Sequence, residues 1–111
     1  MKEKIAMALL EQYKSYIDNN PEVKELIKIK PDIIQLDLRT LMNDLNLDES
    51  YYKISSPLIF ALKTLEAEGF IIDGSNGVFG ITINVHGDES KSIEARNILI
   101  TDKFIRKINN L

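Results

Sequence analysis

Three observations place this chain in the α+β class. Residues 55–69 read as one capped amphipathic helix stopped by a glycine. Residues 70–85 read as two short strands around a glycine-rich turn. Further apolar periodicities at the N-terminus, in 32–47 and at the C-terminus read as additional helices.

In the central helix, Ser56 is the cap, and Pro57 fits the first helical position, where a missing N–H costs nothing. Leu58, Leu62 and Leu65, with Ala61 beside them, recur at i, i+4 and i+7 and form one apolar stripe. Gly69 stands where a left-handed residue ends a helix. Phe70, Ile71 and Ile72 favour a strand. Asp73-Gly74 and Asn76-Gly77 each offer the positive φ of a hairpin turn. Ile81, Ile83 and Val85 alternate with Thr82, Asn84 and His86, the period of a half-buried strand. The expectation is one helix laid against a two-stranded ribbon, with its leucines turned inward.

The string LKTLEAEGFI resembles the Leu-x-x-Leu-Glu-x-x-Gly-hydrophobic signature that closes the third helix of many winged helix-turn-helix domains. The resemblance implies a winged-helix fold with an extra N-terminal helix and a C-terminal helix. It divides a single domain, 1–111, into N-terminal helices (1–31), a helix-turn-helix plus wing (32–86) and a helical extension (92–111). The tail adds a narrower resemblance. Ile100-Thr101-Asp102-Lys103-Phe104, with Ile108 beyond, is similar to the helix start that follows the wing in small prophage-type (YjcQ-like) winged-helix proteins. Phe104 replaces the glycine of that pattern. The resemblance implies a small regulatory protein of phage or plasmid context.

Taken in order, residues 2–18 form a helix with Ile5, Leu9, Tyr13, Tyr16 and Ile17 on one side. Met7 and Leu10 widen its apolar arc. That breadth fits either a core helix flanked by the last helix or a homodimer interface built from the N- and C-terminal helices. Asn20-Pro21-Glu22 starts a short second helix with Val23, Leu26 and Ile27 inward and Lys24, Lys28 and Lys30 solvated, ending at Pro31. Residues 32–47 admit two readings. One is a single helix begun by Asp32 and Gln35. The other, preferred by the resemblance, is a short strand through Ile34, Leu36 and Leu38, then a helix capped by Asp37. The connection 48–57 is longer than a compact helix-turn-helix needs and carries Tyr51 and Tyr52 side by side. Residues 86–97 read as polar loop, with or without a short helical turn. Ile98, Leu99 and Ile100 form a strand or lead into the last helix, which Thr101 caps.

The 111 residues suffice for one core, burying roughly two-thirds of the unfolded surface. The absence of cysteine excludes disulfides, thiolate metal sites and cysteine nucleophiles. No apolar run reaches the ~20 residues of a membrane span. Glu3 and Glu11 interrupt the N-terminal apolar patch, so a signal peptide is not expected, and the chain reads as cytoplasmic. The single histidine, His86, has no second histidine to share a metal. No nucleophile–base pair, phosphate loop or cofactor motif stands out, so no enzymatic activity, metal or cofactor is expected.

The net charge of −3 is unevenly spread. Residues 32–90 hold Arg39, Lys53 and Lys63 against ten acids, while 91–111 hold five bases against two acids. Two functional readings stay open. In the first, a winged-helix transcriptional regulator meets duplex DNA through Arg39, Lys53, Ser55, Ser56, Ile59, Phe60, Lys63, Thr64 and Asn76. Lys63 is then the one base on the reading helix, where DNA binders commonly neutralise ~6–10 phosphates. In the second, Tyr51, Tyr52, Ile59 and Phe60 form an apolar patch for a protein partner, and the acidic rim keeps nucleic acid away.

Overall fold

The computed structural model describes residues 2–26, 29, 35–91 and 97–109. The chain folds as an α+β domain with five helices and two small antiparallel sheets among the described residues. Helix α1 (Lys2–Asn19) buries Ile5, Leu9 and Tyr13, the four-residue repeat of one helix face, against α3 and α4. Asn20 ends the helix, its Nδ2 donating to the Tyr16 carbonyl at 2.9 Å. The single turn α2 (Val23–Leu26) follows. The expected stop at Pro31 and the alternative cap Asp32 lie outside the described residues.

Of the two readings of 32–47, the strand-then-helix one forms. Strand β1 (Gln35–Leu36) precedes α3 (Leu38–Asp44). The Asp37 carboxylate accepts from the Thr40 N–H at 2.6 Å, satisfying a donor that the first turn leaves open. The connection to α4 holds a 3₁₀ turn, Glu49–Tyr51, capped by Asp48. Helix α4 (Pro57–Ala67) starts at Ser56, whose Oγ accepts from the Ile59 N–H at 3.2 Å. Leu58, Leu62 and Leu65 point into the core. Gly69 leaves the helix at φ +84°, a left-handed turn that a side chain would strain.

The strand pairing departs from the expected ribbon. Strand β2 (Ile71–Asp73) does not pair with β3 (Ile81–Ile83). It pairs with β5 (Ile98–Ile100), which also pairs with β1, giving the antiparallel order β1-β5-β2. The register sets Ile71 opposite Ile100 and Leu36 opposite Ile98. Strand β3 pairs instead with β4 (Glu89–Lys91) as a separate hairpin. The segment 98–100 is thus the central strand of the sheet and not a lead into the last helix.

Local chemistry explains the departure. The Asp73 carboxylate accepts from the Ser75 N–H at 2.9 Å, the Ser75 hydroxyl at 2.6 Å and the Phe79 N–H at 2.9 Å. These bonds curl 73–79 into a compact knot, so Asp73-Gly74 and Asn76-Gly77 serve the knot and not a hairpin. The tight turn lies at Phe79-Gly80, flanked by the Val78–Ile81 bridge. Both residues have positive φ (50° and 95°), as a type I′ turn requires. Burial of the Phe79 ring opposes the cost of its left-handed backbone.

The final helix, α5 (Asp102–Asn109), is fixed to the exit of α4. Its cap, Thr101, accepts from the Phe104 N–H at 3.3 Å, and its hydroxyl lies 2.7 Å from the Gly69 carbonyl. Phe104, which replaces the glycine of the YjcQ-like pattern, packs edge-on against Phe70 with centroids 5.8 Å apart. Among the described residues, no helix is long and apolar enough to cross a membrane.

Candidate functional site

The outward face of α4 is the surface the sequence singled out, and the structure divides its residues. Helical geometry puts Phe60, Lys63 and Thr64 on one side, opposite the buried leucines. All three reach solvent, and the Phe60 ring is 73 % exposed. The Thr64 hydroxyl donates back to the Phe60 carbonyl at 3.0 Å, so its oxygen stays available as an acceptor. Ser55, Ser56, Phe60 and Thr64 edge one open groove with Lys2 of α1.

Ile59 and Ser56 are corrections. Ile59 is 0 % exposed and belongs to the core, so neither the DNA-facing surface nor the partner patch contains it. The reason lies in the long connection before α4. Its 3₁₀ turn packs against α4, and Tyr51 and Ile54 lie against the core. This widens the buried arc of the helix beyond the leucine stripe. Ser56 is buried as well, spent on capping.

The other named residues disperse. Lys53 is exposed on the connection, and Asn76 is exposed on the knot after β2. Arg39 lies on α3 and lines a separate cavity together with Tyr52. Tyr51 and Tyr52 are both half-buried. The Tyr52 hydroxyl donates to the Gly80 carbonyl at 2.7 Å, making it a tether between the connection and the root of the β3–β4 hairpin. Phe60 is thus the one fully projecting ring of the proposed patch. At the far end of the hairpin, Ile83 and Val85 are also exposed, with His86 in the turn.

The bases of the terminal helices meet α4 at its C-terminal end, where Lys2 and Lys103 engage Glu68, and Lys2 also edges the groove beside Phe60. Lys2 reaches Glu68 at 2.9 Å. The Lys103 ammonium donates to the Glu68 carbonyl at 2.6 Å, and the Lys103 and Lys107 ammoniums lie 5.0 and 4.7 Å from the Phe70 ring centroid. The hydrogen bond from Lys2 holds the Glu68 carboxyl below its ordinary range, and the same bond raises Lys2. Lys103 and Lys107 add smaller attractions. Lys2, Lys107 and Glu68 edge a groove between α1 and α5 that also exposes Met7.

Sequence reasoning missed Asn97, which is 2 % exposed just before β5. Its backbone N–H donates to the Leu36 carbonyl at 2.9 Å, and its carbonyl accepts from the Gly74 N–H at 2.8 Å. It therefore holds β1 and β2 together. A polar residue ahead of Ile-Leu-Ile was its only signal in the sequence. Among the described residues, no His, Asp and Glu cluster is arranged to hold a metal. No protein-family model, curated protein or solved structure matches the chain.

Proposed function

We propose that this chain is a small winged-helix regulator that meets duplex DNA with the outward face of α4, in the manner of the prophage-type proteins it resembles. The observation that supports the reading is the element order. Helix α1, strand β1, helices α3 and α4 and strand β2 come in the order of a winged helix, and β5, the sheet partner of β2, returns after the β3–β4 hairpin; the reading takes α4 as the recognition helix. In this reading β2 and β5 flank the wing, and the β3–β4 hairpin extends it. Lys63 on α4 and Lys53 before it contact phosphates, and Arg39 is the third base of the helix pair. Ser55, Thr64 and Phe60 face the groove, and Asn76 lies at the side.

Three bases set a shallow salt dependence. At about 0.9 per phosphate, the slope of log affinity against log salt is about −2.7, so a fourfold rise in salt weakens binding about 40-fold. Anisotropy titrations of a random duplex at ~50 and ~200 mM salt test this. No binding at the lower salt, where counterion release favours association most, overturns the reading. A homodimer through α1 and α5 would double the bases offered to one duplex. Light scattering tests that arrangement, and a monomer mass at every concentration removes it.

One observation favours a second reading, a protein-interaction module: the exposed Phe60 ring on a face with a single lysine. Exposed aromatic rings are favoured anchors of protein interfaces. In that case Phe60→Ala abolishes partner capture, and the random duplex shows no binding at any salt.

A further inference from the structure

We propose that β4 is a self-pairing edge. Two copies of this chain join their β4 strands antiparallel about a two-fold axis at Ser90, merging the two hairpins into one continuous sheet. The inference goes beyond the DNA reading and does not depend on it.

The hairpin's own bonds fix where its backbone groups point. The Asn84 N–H donates to the Asp88 carbonyl at 3.0 Å, and the Ile81 N–H and carbonyl both turn away from β4 to meet Val78. Opposed residues in an antiparallel ladder alternate between bonded and non-bonded pairs. Ile81 stands opposite Lys91, Thr82 opposite Ser90 and Ile83 opposite Glu89. Ser90 is therefore the residue that bonds inward to Thr82, while the N–H and C=O groups of Glu89 and Lys91 point outward. Glu89 and Ser90 are exposed, and no third strand pairs with the hairpin among the described residues. Other edges are closed. On β2 the Glu66 carboxylate accepts from the Asp73 N–H at 3.0 Å, and on β3 the bridge to Val78 takes up Ile81. A row of outward N–H and C=O groups is a template for a further strand.

Charge selects the occupant and its register. A two-fold centre at Glu89 sets that acid against itself, and a centre at Lys91 sets that base against itself. The centre at Ser90 sets Glu89 opposite Lys91 of the second copy on both sides of the axis, in the bonded type of pair. Opposite charges directly across a ladder stabilise it, and like charges oppose it. A carboxylate accepts several donors, so the long bond to Glu89 Oε1 from the Ile54 N–H, at 3.4 Å, does not compete. A second copy carries the complementary spacing by symmetry.

Two short edges make a small interface. Light scattering therefore follows the full chain up to about 1 mM, where a dimer with a millimolar dissociation constant is half formed. The native chain is expected to move from monomer towards dimer mass along the series. Glu89→Lys and Lys91→Glu each weaken association at least tenfold, and their equimolar mixture recovers it, because opposite charges again face each other. The chain has no cysteine, and Cα atoms of a non-bonded pair lie ~4.5 Å apart, within disulfide reach. Mild oxidation should therefore cross-link Ser90→Cys at least tenfold faster than Lys63→Cys, whose thiol lies on the exposed face of α4. A monomer mass at every concentration, single variants that associate as the native chain does, a mixture that stays monomeric, or equal cross-linking of the two cysteine variants overturns the proposal. A dimer built on α1 and α5 instead gives the second of these results.

Discussion

The Tyr52 hydroxyl donates to the Gly80 carbonyl at 2.7 Å, 28 residues further along the chain. The bond joins the connection before α4 to the type I′ turn that launches the distal hairpin. Tyr52→Phe removes the donor and leaves the ring. Stability should fall by about 1 kcal/mol, the usual net value of one such bond. In a domain of this size that is a loss of about 4 °C in melting temperature, readable by circular dichroism.

Adjacent residues on α4 have opposite roles. Ile59 is in the core and Phe60 is in solvent. Ile59→Ala is expected to cost about 2–5 kcal/mol, through lost transfer energy and the cavity left behind. Phe60→Ala should change stability by less than about 0.5 kcal/mol, as exposed substitutions do. Urea unfolding of the two variants checks the pair, and equal costs would misplace the face of α4.

Tyr13 is buried with no hydrogen-bond partner for its hydroxyl among the described residues. Burial raises its ionisation above the ordinary 10.0. The folded chain therefore keeps a proton that the unfolded chain releases, and stability falls as pH climbs past 10.0. Tyr13→Phe should be neutral or stabilising by up to about 1 kcal/mol at neutral pH, because it removes an unpaired polar group. It should also flatten the alkaline loss. Denaturant unfolding at neutral pH and above pH 10 checks both.

The Lys2–Glu68 pair has two pH limits. The Glu68 carboxyl is lowered from its ordinary 4.5, so its contribution is present above 4.5 and is lost as pH falls through the folded value. Lys2 is raised from 10.5, so its contribution is present below 10.5 and is lost as pH rises through the folded value. The advantage of the native chain over Glu68→Gln should be small, because the pair is exposed. It should be level between those limits and vanish beyond both. Melting temperatures of the two chains across pH test the profile.

Caps and stops were legible because their chemistry is local. Ser56, Asp37, Thr101 and Gly69 each act within a few residues of themselves, and each does what its type favours. Strand pairing was not legible. Ile71 finds Ile100 and not Ile81, a choice set by the Asp73 knot and by Asn97, whose partners are distant in sequence. The burial of Ile59 was hidden for a related reason. The leucine stripe gives the centre of the buried arc, but its width depends on what the connection 48–56 covers. In the candidate site, the exposure of Phe60 and Lys63 followed from helical period alone. The tether at Tyr52 and the buried end of Asn97 did not.

The central claim, that α4 presents its outward face to DNA, stands most directly on Lys63. Its measurement is the salt dependence of duplex affinity for native chain and Lys63→Ala, compared over the same salt series. The account predicts that the slope, about −2.7, becomes shallower by about 0.9, one phosphate contact fewer. An unchanged slope with unchanged affinity would show that DNA, if bound, is bound elsewhere, and would contradict the account.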